Sequence, residues 1–468
     1  MGCSFSGVCL IGCLLFLSQA PLGIPIQSAA AQVDASTALR EAEVALDARQ
    51  YDRVLSLIQP LTQDDSALPE FSRLKIKALT RSGKPADALR EYGRLEARLK
   101  HDEEPLLREV AIGMITAVLK DMREQMRGAG YTALKEWDSD EAVPYFEDGL
   151  GDGSGLVRAL AAEGLGRLPT GRKSPRLRQA LEDQAAMVRV AALKGLGRSG
   201  DPTTVVLIEK YLKDDQPTVR VAAAGALVRL GRQEERNRIR ESAKAANPDE
   251  RGAAIRALGE LHESASSGVL VQGLNDTQPS VRGAAATALG ELGGVDAAKG
   301  IQRLLSDPIP AVRASAAVSL GELQAKQSIP ALKNALTDAN FAVRAAAVDA
   351  LLHLGLGFED VSATVREMTQ SADPGTRAAA AKALGRSQGR AANDALSLLR
   401  LLLNDPLPRP RIAAARALGH VEKADRLELV KAAKDALGDQ DEAVRATAAG
   451  ALVRIWSKSP GEKSSKPK

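Results

Sequence analysis

An arginine returns at a fixed interval through most of this chain, and that spacing limits the fold more than any other feature. Arg158, Arg189, Arg220, Arg251, Arg282, Arg313 and Arg344 are evenly spaced, and Arg377, Arg411 and Arg445 follow at slightly longer steps. All ten have Ala three residues later (Ala161 through Ala448) and Leu seven residues later (Leu165 through Leu452). Eight have Asp six residues earlier: Asp152, Asp183, Asp214, Asp276, Asp307, Asp338, Asp405 and Asp439. A period of roughly 31 residues marks one supersecondary unit copied in tandem.

Positions three and seven after the arginine lie one helical turn apart, on one face. The adjacent second and sixth positions are mostly Ala or Gly, so each phrase reads as an amphipathic helix with a narrow seam of small residues. Such a seam lets neighbouring helices approach closely. A second helix precedes each phrase, with apolar residues at three- and four-residue steps such as Ile301, Leu304, Leu305 and Ile329, Leu332, Leu336. Asp307-Pro308-Ile309-Pro310 and Asp405-Pro406-Leu407-Pro408 supply the turn between the two helices. One such pair cannot bury its own apolar face, so the pairs must stack.

The phrase, seen in SVRGAAATALGEL at Ser280, AVRASAAVSLGEL at Ala311 and AVRATAAGALVRI at Ala443, resembles HEAT repeats, in particular the short variety named after phycobilisome lyases. The resemblance covers residues 140–456 and implies an all-α superhelix. Upstream, Asp102, Arg108, Ala111 and Ile115 suggest a degenerate capping unit, so 100–139 reads as that cap plus an insertion holding Gly128, Ala129, Gly130 and Trp137. Residues 36–99 carry a different period: Ala45, Tyr51, Val54 and Leu61 are matched by Leu79, Pro85, Ala88 and Leu95. This segment resembles tetratricopeptide repeats, whose period is 34.

The ends of the chain point to export. Cys3, Cys9 and Cys13 are the only cysteines, and residues 8–17 form an apolar run of signal-peptide length, too short to span a bilayer. Ala29, Ala30 and Ala31 then offer a cleavage site, which makes 1–31 a signal peptide. The stretch Leu10-Ile11-Gly12-Cys13 also resembles a bacterial lipobox; lipidation of Cys13 is the secondary reading. Residues 457–468 read as a disordered basic tail. Membrane contact is expected only through that tail or a lipidated Cys13. The expected setting is the periplasm or outside the cell.

The repeated Asp and Arg invite a phosphate-binding story, but a structural reading is stronger. An Asp in the turn can accept N–H groups at the start of the next helix, and an Arg with five donors can reach that Asp or its counterpart in the adjacent unit. The HEAT resemblance implies such a ladder, here Asp183, Arg189, Asp214, Arg220, Asp276, Arg282, Asp307, Arg313, Asp338 and Arg344. Binding is expected instead at positions the repeat leaves free. Nine residues past the ladder arginine the series runs Arg167, Arg198, Arg229, Glu260, Glu291, Glu322, His353, Arg386, His420, Arg454. It is sorted by sign, and along a stacked array it gives a basic end, an acidic centre and a second basic end. Arg167 through Arg386 of this series are the candidate partner-binding residues.

Lys plus Arg outnumber Asp plus Glu by only 63 to 59, and aromatics make up 3%, which argues against a nucleic-acid binder. Deoxyhypusine hydroxylase, another HEAT-like protein, needs paired His-Glu motifs on several repeats; among four histidines only His262-Glu263 forms one. The glycine-rich run at 148–155 follows no strand and lacks a P-loop lysine. No catalytic, metal or cofactor residues are expected. The sequence therefore reads as a monomeric, non-enzymatic scaffold that binds a protein along a concave face, with an accessory enzyme or chromophore-lyase-like factor as the alternative.

Overall fold

The computed structural model describes residues 26–59, 69–293 and 295–457. The expected signal-peptide core, Cys13 and the tail beyond Ser457 lie outside them, whereas Ala29 to Ala31 fall within the first helix. Among the described residues there is no strand, only one isolated bridge between Gln388 and Glu422. No helix there is long and apolar enough to cross a membrane.

Two helical hairpins lead in: α1 (Ile26–Asp47) with α2 (Tyr51–Ile58), and α3 (Pro69–Arg81) with α4 (Pro85–Leu99). Eleven helix pairs follow. The first six are α5/α6 (Glu104–Val118, Glu124–Leu134), α7/α8 (Val143–Gly149, Gly155–Arg167), α9/α10 (Pro175–Gln179, Ala186–Gly197), α11/α12 (Val205–Glu209, Pro217–Arg229), α13/α14 (Glu235–Ser242, Pro248–Glu260) and α15/α16 (Ser267–Gly273, Pro279–Leu292). The rest are α17/α18 (Val295–Arg303, Pro310–Glu322), α19/α20 (Ile329–Ala335, Phe341–His353), α21/α22 (Ser362–Thr369, Pro374–Leu384), α23/α24 (Arg390–Leu403, Pro408–Leu418) and α25/α26 (Arg426–Ala436, Glu442–Ser457). In each pair the ladder arginine sits on the second, even-numbered helix. Proline at the first position starts α12, α14, α16, α18, α22 and α24, where its missing N–H has no intrahelical partner to lose.

The even-numbered helices pack directly on one another, and in seven of the eleven units glycine eight residues past the arginine meets a small residue of the next unit. A Cβ added to Gly166 would stand 2.7 Å from Gly195 Cα; at Gly197 and at Gly259 it would stand 2.7 Å from the Cα atoms of Ala226 and Ala288. No side chain fits there. The even-numbered row is thus packed more tightly than the odd-numbered row, and the tighter row lies on the concave side. Two ion pairs confirm this, since each skips a whole unit: Lys194 Nζ meets Glu260 Oε1 at 2.6 Å, and Arg386 meets Glu322. Only side chains converging from a concave wall can do so.

The curvature runs to completion. Helix α26 packs against α24 behind it and against both α5 and α6 from the start of the array. Gly450 on α26 lies against Ala133 on α6, so close that an added Cβ would stand 3.2 Å from the Ala133 Cβ. Eleven concave helices therefore form a closed ring, α6 through α26 and back to α6. At about 8–10 Å per helix the circle of axes is roughly 30 Å across, which leaves on the order of 20 Å between opposite backbones.

Two expectations are corrected by this arrangement. The segment read as a cap plus insertion at 100–139 is a full helix pair, α5/α6. Its ladder residues are Asp121 and Arg127, each one repeat period before Asp152 and Arg158. Asp102, assigned to a degenerate copy, instead accepts from the Tyr92 hydroxyl at 2.9 Å and from Lys434 Nζ at 2.6 Å. Trp137 is buried beside Tyr145, ring centroids 6.3 Å apart. The second correction concerns shape: the array is not a rod with two ends, so the charge strip is a circle in which Arg454 meets Glu136.

Candidate functional site: the lining of the ring

The ladder holds the units in register and leaves its residues occupied. Arg158 Nε and Nη2 donate to the two carboxylate oxygens of Asp183 at 2.7 and 2.9 Å, while its Nη1 donates to the carbonyls of Asp152 and Gly153 in its own turn. Asp183 also accepts the Ala185 N–H at 2.8 Å, starting the next helix. This fork recurs from Arg127, Arg189, Arg251, Arg282, Arg313, Arg377 and Arg411 to Asp152, Asp214, Asp276, Asp307, Asp338, Asp405 and Asp439. The guanidinium hydrogen bonds hold the carboxyls of Asp183, Asp276 and Asp307 below the usual range.

Three arginines break the pattern. Ala245 stands where Arg220 would find Asp, and Arg220 turns to Glu250 at 3.0 Å. Ser371 stands where Arg344 would find Asp, and Arg344 Nε is buried without a partner. At the closure Arg445 contacts Glu442, Glu442 meets Arg123, and Arg123 forks onto Asp121. The ladder crosses the seam as a relay of four charges.

The candidate binding residues sit at or just past the C-terminal ends of the concave helices, around one mouth of the ring. Arginine there complements the negative end of the helix dipole; glutamate opposes it. Glu260, Glu291 and Glu322 are therefore placed against local preference, and the chain compensates for two of them. Glu260 is held by Lys194 and Glu322 by Arg386. Glu291, between them, has no such partner, and burial together with the charge of Glu260 raises its carboxyl above the ordinary range. Asp349, five residues past Arg344, is pushed by burial up to about 6. Arg386 Nε approaches its Oδ1 at 3.3 Å, near enough for attraction but not aligned as a hydrogen bond, so that oxygen keeps no donor.

On the other arc Arg167 and Arg198 are exposed and meet no carboxylate, and Arg229 gives Nη2 to the Glu260 carbonyl at 2.9 Å. Burial lowers the Arg229 pKa and the charge of Arg198 lowers it further. Arg172 bonds to the carbonyls of Gly166, Arg167 and Arg198 and so pins the two helix ends on which this arc stands. At the seam Glu136, absent from the sequence-derived strip, occupies the same register. Burial alone would raise its carboxyl, but His420 at 3.7 Å and Arg454 at 2.7 Å draw it down to about 2. His353 lies half-buried in the strip and its carbonyl accepts from Gln324. Among the described residues no group of three or more His, Cys, Asp or Glu is arranged to hold a metal. A second concavity of about 1070 Å³ lies where the leading hairpins meet the ring, lined in part by Tyr51, Arg81, Ile112, Leu119 and Tyr145.

Comparison with known proteins places this architecture. The HEAT-repeats family model matches six overlapping stretches, residues 112–186, 174–259, 236–321, 299–356, 329–405 and 395–466. No curated protein is matched. Solved structures with similar folds include human deoxyhypusine hydroxylase, 23% identical over 54% of this chain and 98% of that one, with a TM-score of 0.32. The CpcE–CpcF complex of phycocyanin lyase from Nostoc sp. PCC7120 is 21% identical over 55% of this chain and 92% of that one, with a TM-score of 0.33. The karyopherin Kap121p bound to Pho4p is 14% identical over 86% of this chain but only 50% of that one, with a TM-score of 0.34. With the repeat model matched across well over half of its length, the chain belongs to the HEAT-repeat family.

Proposed function

We propose that the protein is a non-catalytic scaffold of the bacterial cell envelope, exported by its N-terminal segment, that holds a protein partner against the lining of its closed ring. HEAT solenoids are a protein-interaction scaffold type. The observation that carries the reading is the closure itself: α26 seated on α5 and α6 converts a concave wall into an enclosed lining of ionised side chains. Folded partners wider than about 20 Å would be excluded from it, which favours extended segments.

The test uses steric blocking. Thr287 is exposed on the lining and Val206 is exposed on the convex side. With Cys3, Cys9 and Cys13 replaced by Ser, Thr287→Cys and Val206→Cys are each coupled to a bulky maleimide and used to capture partners from the native envelope fraction. The reading expects capture to be lost with the blocked lining and kept with the blocked outer wall. Equal capture by both would contradict it.

A further inference from the structure

The internal ion pairs of the lining are unevenly distributed, and the imbalance specifies a partner. Four carboxylates facing the ring are consumed by cations of the same chain, Glu163 by Lys135, Glu260 by Lys194, Glu322 by Arg386 and Glu136 by Arg454, and Glu291 is left without such a partner. On the arc from α8 to α14 Lys194 is spent on Glu260, but the arginines of the lining are not consumed in this way. Arg167 and Arg198 at the mouth, and Arg256 deeper in the lining, are exposed without an acidic partner, and Arg229 has only a carbonyl. The sequence shows an alternation of signs; the structure shows that most of the acid is neutralised internally and the basic arc is left open.

We infer that the arc formed by Arg167, Arg198 and Arg229 binds an extended acidic polypeptide segment. This deepens the scaffold reading and rests on it. The helices that carry the three arginines in the same register are spaced about 8–10 Å apart. A segment in the extended polyproline II conformation has three residues per turn and rises about 3.1 Å per residue, so carboxylates on every third residue share one face and recur about every 9 Å, in step with successive arginines. Guanidinium is the group suited to forked recognition of a carboxylate. Dipole compensation at helix ends explains one arginine at a time, but not the glutamates at the same position in the next three units. A single-stranded nucleic acid shares the charge but needs stacking platforms, and none of the arc positions is aromatic.

The experiment measures fluorescence anisotropy of a labelled peptide with Glu at every third residue between Gly and Ser, in low and in physiological salt. The matching Lys peptide and an oligothymidylate serve as competitors. The double reversal Arg167→Glu with Arg198→Glu changes two exposed, unpaired side chains. Its control is Lys210→Glu with Lys213→Glu on the outer wall, which changes the net charge equally. The Glu peptide should bind the full-length protein and the control variant, and bind the arginine variant about 10-fold or more weakly, with unchanged helical circular dichroism. Absence of Glu-peptide binding, equal binding by both variants, or tighter binding of the oligothymidylate would overturn the inference. If blocking Thr287 still abolishes partner capture while the Glu peptide fails to bind, the scaffold reading stands and this inference alone falls.

Discussion

Changing Ser371 to Asp should make the protein more stable, because it would supply the carboxylate that the ladder lacks at one rung. Eight ladder arginines spread Nε and Nη2 over the Asp of the next unit, but Arg344 faces Ser371, and its buried Nε has no partner. Its Nη1 is already anchored on the Asp338 carbonyl at 2.8 Å, so the guanidinium is held in the orientation used at the complete rungs. A hydrogen bond to a charged group contributes about 1.5–3 kcal/mol, less the desolvation of the new carboxylate, which leaves a net gain of roughly 1–2 kcal/mol. If roughly 400 residues unfold together, about 2.1 cal/mol/K per residue turns that gain into only about 2 °C of Tm, so heat alone is a poor readout. The assay is hydrogen exchange of α20, α21 and α22 with chemical denaturation, run as a double-mutant cycle with Arg344→Met. The stabilisation should appear for Ser371→Asp and vanish in the Arg344→Met background. An equal gain in both backgrounds would show that Asp acts only as a better helix start, refuting the pairing argument.

Two further outcomes follow from perturbed carboxyls. Asp349 has a carboxyl near 6 against an ordinary 3.8, so its ionisation costs stability above about pH 6 and the cost disappears as pH falls toward 4. Asp349→Asn should therefore stabilise by about 1–2 kcal/mol at pH 7.5, after allowance for its attraction to Arg386, and by nothing at pH 4; urea midpoints at the two values test this. Glu136 behaves oppositely: its carboxyl near 2 against 4.5 supplies stability that is complete above about pH 4.5 and lost as pH falls toward 2. Discounted for its partial exposure, the contribution is about 1–2 kcal/mol at the seam. Hydrogen exchange of α26 relative to α18 should accelerate across that window in the parent protein, and Glu136→Gln should show the faster exchange already at neutral pH.

The stacking of helices was legible because a unit of nearly constant length repeats its small seam and its ladder, and local spacing encodes both. The first unit is faint in the sequence because Gly130 stands where Ala is usual and Trp137 follows where no other unit has an aromatic. The signal was nonetheless present, since Asp121, Arg127 and Leu134 stand one period before Asp152, Arg158 and Leu165. Ring closure was not legible. It results from a small rotation at each of eleven interfaces, set by pairs such as Gly197 with Ala226, and no single residue states the sum. The charge strip is legible in the sequence, but its chemistry depends on which acids are paired, and Lys194 with Glu260 are 66 residues apart in sequence.

Closure is tested most directly by a covalent bond across the seam. An added Cβ at Gly450 would stand 3.2 Å from the Cβ of Ala133, a few tenths of an ångström short of the usual disulfide separation of about 3.5–4.5 Å. In a chain whose Cys3, Cys9 and Cys13 are replaced by Ser, Ala133→Cys with Gly450→Cys should oxidise to an intramolecular disulfide in monomeric, folded protein, read by intact mass and by mapping of the linked peptides. Thiols that remain free under oxidation, or that link only between molecules, would contradict the closed ring.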